Sequence, residues 1–166
     1  MGVRRIDDMV AYQFAVEFKT EVYRLIRESP EACRDLKYRS QLSDAADGVD
    51  GNMTEGFRRC SPGELAAFLR YALGSLAEAE TRLRNGILRG YFRDEHCHGA
   101  FVWARRCRAA TLGWHASQRR EHERRKALRS KGTGGQGPRS TGGREPRSPE
   151  KKNREAQGDK DEEVMG

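Results

Sequence analysis

The stretch SPGELAAFLRYALGSLAEAETRL, residues 61–83, carries the clearest helix-start signal in the chain and a long apolar repeat. Ser61 stands at an N-cap, Pro62 at the first helical position and Glu64 at the third, which is the pattern of a capping box. The stretch therefore predicts a long amphipathic helix, and Gly90 is expected to end it. The apolar side chains recur at steps of three and four, the period of one helix face: Leu65, Phe68, Leu69, Ala72, Leu73, Leu76, Leu83 and Ile87.

A similar apolar period precedes this segment, over about residues 7–29. Asp7 or Asp8 is expected to cap its start, since Asp side chains accept hydrogen bonds from the first amides of a helix. Its end is expected at Ser29, because the residue before Pro30 is pushed out of the helical region. The sequence thus predicts a first long amphipathic helix.

Two more helical segments are predicted, over residues 31–57 and from about residue 94 to 131. No segment alternates with the period of a strand, so we predict an all-α protein. Four long helices with short links favour an antiparallel four-helix bundle. Residues 132–166 are rich in Gly, Pro, Ser and charge, and we expect them to be disordered. The predicted organisation is a bundle with a basic helical extension over residues 1–131, followed by this tail.

The positive charge of the chain is concentrated in one block. The chain has 32 Lys and Arg against 25 Asp and Glu, and residues 105–131 alone carry 10 basic against 2 acidic side chains. Such a block is typical of a surface that binds the phosphate backbone of RNA or DNA; the alternative is a solvated helix end. The candidate binding residues lie in this block and, secondarily, at the corner before Ser61: Arg105, Arg106, Arg108, Arg119, Arg120, Arg124, Arg125, Lys126, Arg129, Lys131, Arg58 and Arg59.

The sequence predicts neither a catalytic site nor a metal site. In the stretch EHCHG, His96 and His98 are two residues apart and so point to different faces of a helix, whereas zinc needs ligand pairs at chelating spacing. Glu95 is followed by His98 at the third position, but a di-metal site in a bundle needs two such motifs. No nucleophile elbow accompanies the Ser and Cys residues. We therefore expect a protein without a cofactor; a metalloenzyme built on the bundle is a further possibility, which would need a bound metal.

The sequence shows neither a membrane span nor a secretory signal. The charge-free runs are far shorter than the roughly 18 apolar residues of a membrane span, and the N-terminus lacks the apolar core of a secretory signal. We expect a cytoplasmic protein without membrane contact, whose four Cys are free thiols.

Trp103 and Trp114 share a helix face, and we favour a place in the core or at a subunit interface over stacking on bases.

Residues 41–83 carry a motif that resembles a known family. Asp50 and Thr54 depart from the pattern, which usually has Pro and Ala there, so the helical bend of the family is expected to be weaker. In the second segment the matching residues are Gln41, Ala45, Ala46, Asn52, Glu55 and Gly56. In the third they are Phe68, Leu69, Ala72, Gly74, Ser75, Leu76, Glu78, Glu80 and Thr81.

The chain resembles the four-helix bundle proteins related to the 23S rRNA intervening-sequence protein, a group that includes the accessory variability determinants of diversity-generating retroelements. The resemblance implies a basic homo-oligomeric ring, typically a pentamer, without enzymatic activity. The retroelement members imply a reverse transcriptase as partner and its template RNA or cDNA as ligand. The alternative is an assembly module encoded in an rRNA intervening sequence, without a nucleic-acid role. The motif residues expected to be structural are Asn52, Glu55, Gly56, Gly74, Ser75 and Glu78.

The corner between the second and third segments holds three of these residues. We expect Asn52 or Glu55 to hydrogen-bond exposed amides at the end of the second helix. Gly56 is expected to give the backbone the freedom to turn. On this interpretation the corner is a hinge of the fold, and the functional surface is the basic block.

Overall fold

The computed structural model describes residues 5–132, and within that range it contains helices and no strand. The all-α prediction is therefore confirmed for these residues. The predicted disorder of residues 132–166 lies outside the described residues, except for Gly132 at the end of the last helix. After a 3₁₀ turn at Ile6–Asp8 come α1 (Val10–Glu28), α2 (Pro30–Arg34), α3 (Leu36–Arg58), α4 (Pro62–Leu88) and α5 (Asp94–Gly132).

The start of α1 differs from the sequence-based prediction, whereas its end agrees with it. Asp7 and Asp8 lie in the 3₁₀ turn, and Met9 is the N-cap of α1 without a side-chain hydrogen bond, so the predicted Asp cap is wrong. The predicted end at Ser29 is confirmed. Ser29 Oγ accepts a hydrogen bond from the amide of Ala32 at 3.1 Å and so caps α2 at once.

The second predicted helix is divided in two by Asp35. Its Oδ1 accepts a hydrogen bond from the Tyr38 amide at 3.0 Å, which starts α3 as a separate helix. Its Oδ2 accepts a hydrogen bond from the Tyr91 hydroxyl at 2.8 Å and lies 3.4 Å from Arg89 Nη1. The Tyr38 amide and then the Tyr91 hydroxyl lower the pKa of the Asp35 carboxyl. Asp35 therefore ties the start of α3 to the link that follows α4.

The four long helices share one contiguous core. Helix α1 packs against α5 and α3, and α4 packs against α3 and α5. Trp114 is buried in this core, and Trp103 is half-buried with its ring 5.6 Å from that of Phe14. The predicted core position is thus confirmed for Trp114. The largest fully buried side chains include Phe18, Leu42, Met53, Leu69, Leu76 and Leu83.

Helices α3 and α4 approach each other closely at two glycines of α3. A Cβ placed on Gly48 would lie 2.7 Å from Ser75 Oγ, and one on Gly56 would lie 2.6 Å from the Phe68 Cβ. Gly56 is helical and buried, so its predicted role as a turning point is wrong. The backbone turns at Cys60 instead, which has a φ of 56°. Glycine is needed at Gly56 because a side chain would push α4 away.

The polar residues of the corner do not cap the helix. Asn52 Nδ2 donates to the Gly48 carbonyl at 2.6 Å, and the Glu55 carboxylate pairs with Arg59 at 2.7 Å, so the predicted bonds to exposed amides are wrong. Both side chains find a partner one turn away along the chain, which explains why they do not reach the exposed amides. Ser61 is the N-cap of α4 as predicted, but its side chain accepts no hydrogen bond, so the capping box is not formed.

The motif residues on α4 differ in their surroundings. Ser75 lies at the contact with α3, where its Oγ is 3.5 Å from Asn52 Nδ2. Gly74 is exposed, and a Cβ added there would meet nothing within 4 Å. Glu78 is exposed and pairs with Arg82 at 3.2 Å. The motif therefore marks a helix contact on one side of α4 and an open surface on another.

Helix α5 is much longer than the helices packed against it. It has 39 residues, which corresponds to about 58 Å, whereas the 27 residues of α4 span about 40 Å. Its buried positions end at Trp114, and every residue from 122 to 131 is exposed. The predicted course of the fourth helix, from Asp94 to the glycine at position 132, is confirmed. In residues 5–132, no helix has the length and apolar character that crossing a bilayer requires.

Candidate nucleic-acid interface

The end of α5 carries most of the cations that the sequence singles out. We call residues 119–131 the α5 extension. Its acidic residues are Glu121 and Glu123 alone. Its basic residues are all exposed, and four of them form no ion pair with another described residue: Arg119, Arg120, Lys126 and Lys131.

Glu121 holds two of the remaining arginines along the helix. Its carboxylate accepts hydrogen bonds from Arg124 Nε at 2.8 Å and from Arg125 Nε at 2.7 Å. These two guanidinium groups lower the pKa of the Glu121 carboxyl to about 2. The carboxylate is therefore ionised at neutral pH and fixes both arginines next to the unpaired cations.

The cations of the extension lie on more than one side of α5. An α-helix turns by about 100° per residue, so Arg119 and Lys126, seven residues apart, share one side. Arg120, Arg124 and Lys131 form a second row on another side. Positive charge in several directions suits contact with a phosphate backbone, which fixes position without reading sequence.

The three predicted cations further back on α5 have different roles. Arg108 is half-buried and pairs with Glu80, so it ties α5 to α4. The Arg106 guanidinium lies 5.0 Å from the ring centre of Trp103, at the distance of a cation–π contact. Arg105 is exposed and forms no ion pair with another described residue. Of these three, Arg105 is the most available to a ligand.

The corner arginines lie at the same end of the molecule as the extension. Both are exposed; Arg59 pairs with Glu55 and lies 5.6 Å from the Phe68 ring. A groove of about 700 Å³ is lined from one side by corner residues and from the other by α5. The corner is therefore adjacent to the start of the extension, and its role as a secondary binding site stays a prediction.

Two arginines of α4 that the sequence did not identify lie beside these cations. Arg70 lines a cleft together with Arg119, His115 and His122. Arg84 lines a second cleft together with Arg105. Both α4 arginines sit at exposed positions of an ordinary amphipathic helix, so only the packing of α4 against α5 reveals them.

Two of the four cysteines lie in the core, away from this surface. Cys97 and Cys107 are buried, and burial raises the pKa of each thiol to about 11. Cys33 and Cys60 are exposed and free. Across residues 5–132, no three His, Cys, Asp or Glu side chains are grouped so that they could hold a metal ion.

A sequence model of one protein family, described as 23S rRNA-intervening sequence protein, matches residues 7–101. The match runs from the 3₁₀ turn into the first part of α5 and ends before the α5 extension. No curated protein matches the chain. The family match therefore covers the helices that form most of the core, and the cationic surface lies largely beyond it.

Proposed function

We propose that this chain, which belongs to the 23S rRNA-intervening sequence protein family, is a non-enzymatic accessory protein that binds RNA or DNA. The observation that carries the proposal is the α5 extension. Arg119, Arg120, Lys126 and Lys131 are exposed there, and they form no ion pair with another described residue. Phosphate groups are the natural partners for such a surface, because binding releases counterions from the nucleic acid.

The finer proposal is that the protein supports the reverse transcriptase of a diversity-generating retroelement. It would bind the enzyme together with its template RNA or cDNA. This part rests on the resemblance of residues 41–83 to the accessory determinants of such elements. The basic surface agrees with it, since a protein that accompanies reverse transcription needs contact with a polyanion.

We also propose that the subunit is an antiparallel four-helix bundle that assembles into a homo-oligomer, with a pentamer favoured. The links after α3 and α4 are short, which suits neighbouring helices of opposite direction. Gly74 belongs to the family motif, but it is exposed and a Cβ added there would meet no described residue within 4 Å. A contact with a second copy would account for a motif glycine at an exposed position.

The alternative is an assembly or interaction module without a nucleic-acid role. The observation that favours it is the groove at the corner, which has a largely apolar floor formed by Met9, Phe57, Pro62, Leu65 and Trp114. A partner that filled this groove would bind through apolar contact, and its affinity would be nearly independent of salt.

Two matched triple variants distinguish these functions. The test variant, R119Q/R120Q/K126Q, removes three exposed positive charges from the extension. The control, R27Q/R34Q/K37Q, removes three exposed positive charges from residues near α2. Binding of a fluorescently labelled single-stranded RNA is measured at low salt by polarisation.

We expect the extension variant to lose affinity on the order of tenfold, because phosphate contacts dominate binding, and the control to stay close to wild type. The variants should keep the helical content and oligomeric mass of wild type. Equal affinity in all three proteins, or equal loss in both variants, would remove the extension from the proposal. No RNA binding by wild type would favour the assembly module.

A further inference from the structure

A cleft between α4 and α5 brings four basic side chains together from two helices. Arg70 enters from α4, and His115, Arg119 and His122 enter from α5. The cleft has a volume of about 270 Å³ and is open to solvent on one side. Its remaining walls are Gly63, Ala66 and Ala67, which are small, and Glu123. The space is sufficient for one phosphate group with some of its water.

One imidazole of the cleft lies against α4. A Cβ added at Gly63 would lie 2.7 Å from His122 Nδ1, so the ring lies directly against the first turn of α4. On α5, His115, Arg119 and His122 follow one another at spacings of four and three residues, which keeps them on one face. The three α5 side chains are therefore directed to the same place that Arg70 reaches from α4.

The charge of this cleft depends on its two histidines. With neutral imidazoles the lining carries Arg70 and Arg119 against Glu123, a net charge of one positive unit. Protonation of both imidazoles would add two more. Glu64, in the first turn of α4, is not among the lining residues, and Glu123 is the one acidic group in this wall.

We propose that this cleft is a phosphate-binding site in which His115 and His122 bind the anion in their protonated form. The ligand is a phosphodiester group of the nucleic acid, so this inference rests on the proposed function and adds a proton-linked contact to it. Arg70 and Arg119 hold the phosphate at every pH, since guanidinium stays charged and forms short hydrogen bonds with phosphate oxygens. The imidazoles strengthen the contact as pH falls.

The expected pH dependence follows from the charge of imidazole. Histidine changes its charge in the range around pH 6 to 7. Because the anion binds the protonated rings better, binding takes up protons, and affinity rises as pH falls from 8 to 6. At constant ionic strength we expect an RNA affinity about three to ten times higher at pH 6 than at pH 8.

The first test uses inorganic phosphate and wild-type protein, without nucleic acid. The imidazole C–H signals of the four histidines are followed by NMR as phosphate is added at constant pH and ionic strength. Single His-to-Gln variants assign the signals. We expect those of His115 and His122 to shift. The signal of His96, exposed at the other end of α5, should stay unchanged.

The second test measures RNA affinity at pH 6 and pH 8. In H115Q/H122Q the ratio of the two affinities should fall close to one, whereas H96Q should keep the wild-type ratio. R70Q should weaken binding at both pH values and keep most of the pH dependence. Because R70Q keeps both histidines, its loss of affinity reports the phosphate contact of the cleft independently of any effect of the histidine substitutions on folding.

The results distinguish the inference from the proposed function. If wild type binds RNA with strong salt dependence but H115Q/H122Q keeps the full pH effect, the cleft is not the site and the proposed function stands. If RNA does not bind, the proposed function fails, and the phosphate titration alone decides whether the cleft binds phosphate. Unchanged His115 and His122 signals in saturating phosphate would overturn the inference in either case.

Discussion

Gly56 of α3 lies directly against Phe68 of α4, so that a Cβ on Gly56 would stand 2.6 Å from the Cβ of Phe68. The Phe68 Cβ is bound to the backbone and cannot swing aside as the end of a flexible side chain would. The substitution G56A must therefore separate α3 from α4 locally. We expect a loss of about 1–3 kcal/mol in the free energy of unfolding, measured by urea denaturation at fixed protein concentration.

Gly51 provides the matched control on the same helix. A Cβ added there would meet nothing within 4 Å. Replacing a helical glycine by alanine in open space stabilises a helix by up to about 1 kcal/mol. G51A should therefore be as stable as wild type or more stable, and equal losses in G51A and G56A would contradict the close approach at Gly56.

The ion pair between α1 and α3 leads to a second stability prediction. Lys19 Nζ lies 2.5 Å from Asp50 Oδ2, and the Asp50 side chain is only 13% exposed. Its Oδ1 has no hydrogen-bond partner among the described residues. The substitution K19M would leave a nearly buried carboxylate unpaired, and we expect a loss of about 2–3 kcal/mol in the free energy of unfolding.

The double variant K19M/D50N separates the charge from the packing. The amide that replaces the Asp50 carboxylate is neutral, so the double variant should recover part of the stability that K19M loses. Thermal unfolding of wild type, both single variants and the double variant gives the coupling energy. If K19M and K19M/D50N lose the same stability, the unpaired charge of Asp50 is not the cause.

Thiol reactivity tests the placement of the cysteines. Cys33 and Cys60 are exposed, whereas Cys97 and Cys107 are buried with the pKa of each raised to about 11. Since the thiolate is the reactive form, the two exposed thiols should react quickly with a disulfide reagent at pH 8. The two buried thiols should react only after unfolding. Fast labelling in the variant C33S/C60S would contradict the buried positions.

The apolar period predicted the long helices because burial of one face determines where they lie. The stripe of Leu69, Leu76 and Leu83 enters the core as predicted. Residues that interrupt a helix also predicted the helix ends. Ser29 before Pro30 ends α1, and Gly90, with a φ of 76°, follows the end of α4. These features are local, so the sequence contains them in full.

The errors concern positions where a distant contact or a competing partner decides. Asp35 divides the second helix because its carboxylate caps α3 and also reaches Tyr91, 56 residues away. Gly56 is explained by Phe68 on another helix rather than by a turn. Arg70 joins the α5 cations through packing alone. No spacing along the chain reports such contacts.

The departures from the family pattern also have a structural account. In the pattern that residues 41–83 resemble, Asp50 replaces Pro, and here its carboxylate forms the ion pair with Lys19 inside an unbroken α3. Thr54 Oγ1 donates to the Asp50 carbonyl at 2.9 Å. Helix α3 continues through both residues, and the weaker bend stays a prediction.

The salt dependence of RNA binding decides whether the α5 extension binds nucleic acid. The logarithm of the association constant is plotted against the logarithm of salt concentration for wild type and R119Q/R120Q/K126Q. For single strands each neutralised phosphate contributes about 0.7 to the slope. We predict a steep negative slope for wild type and a slope shallower by about 2 for the variant, since three contacts are lost. A flat line for wild type, or identical slopes for both proteins, would contradict nucleic-acid binding by the α5 extension.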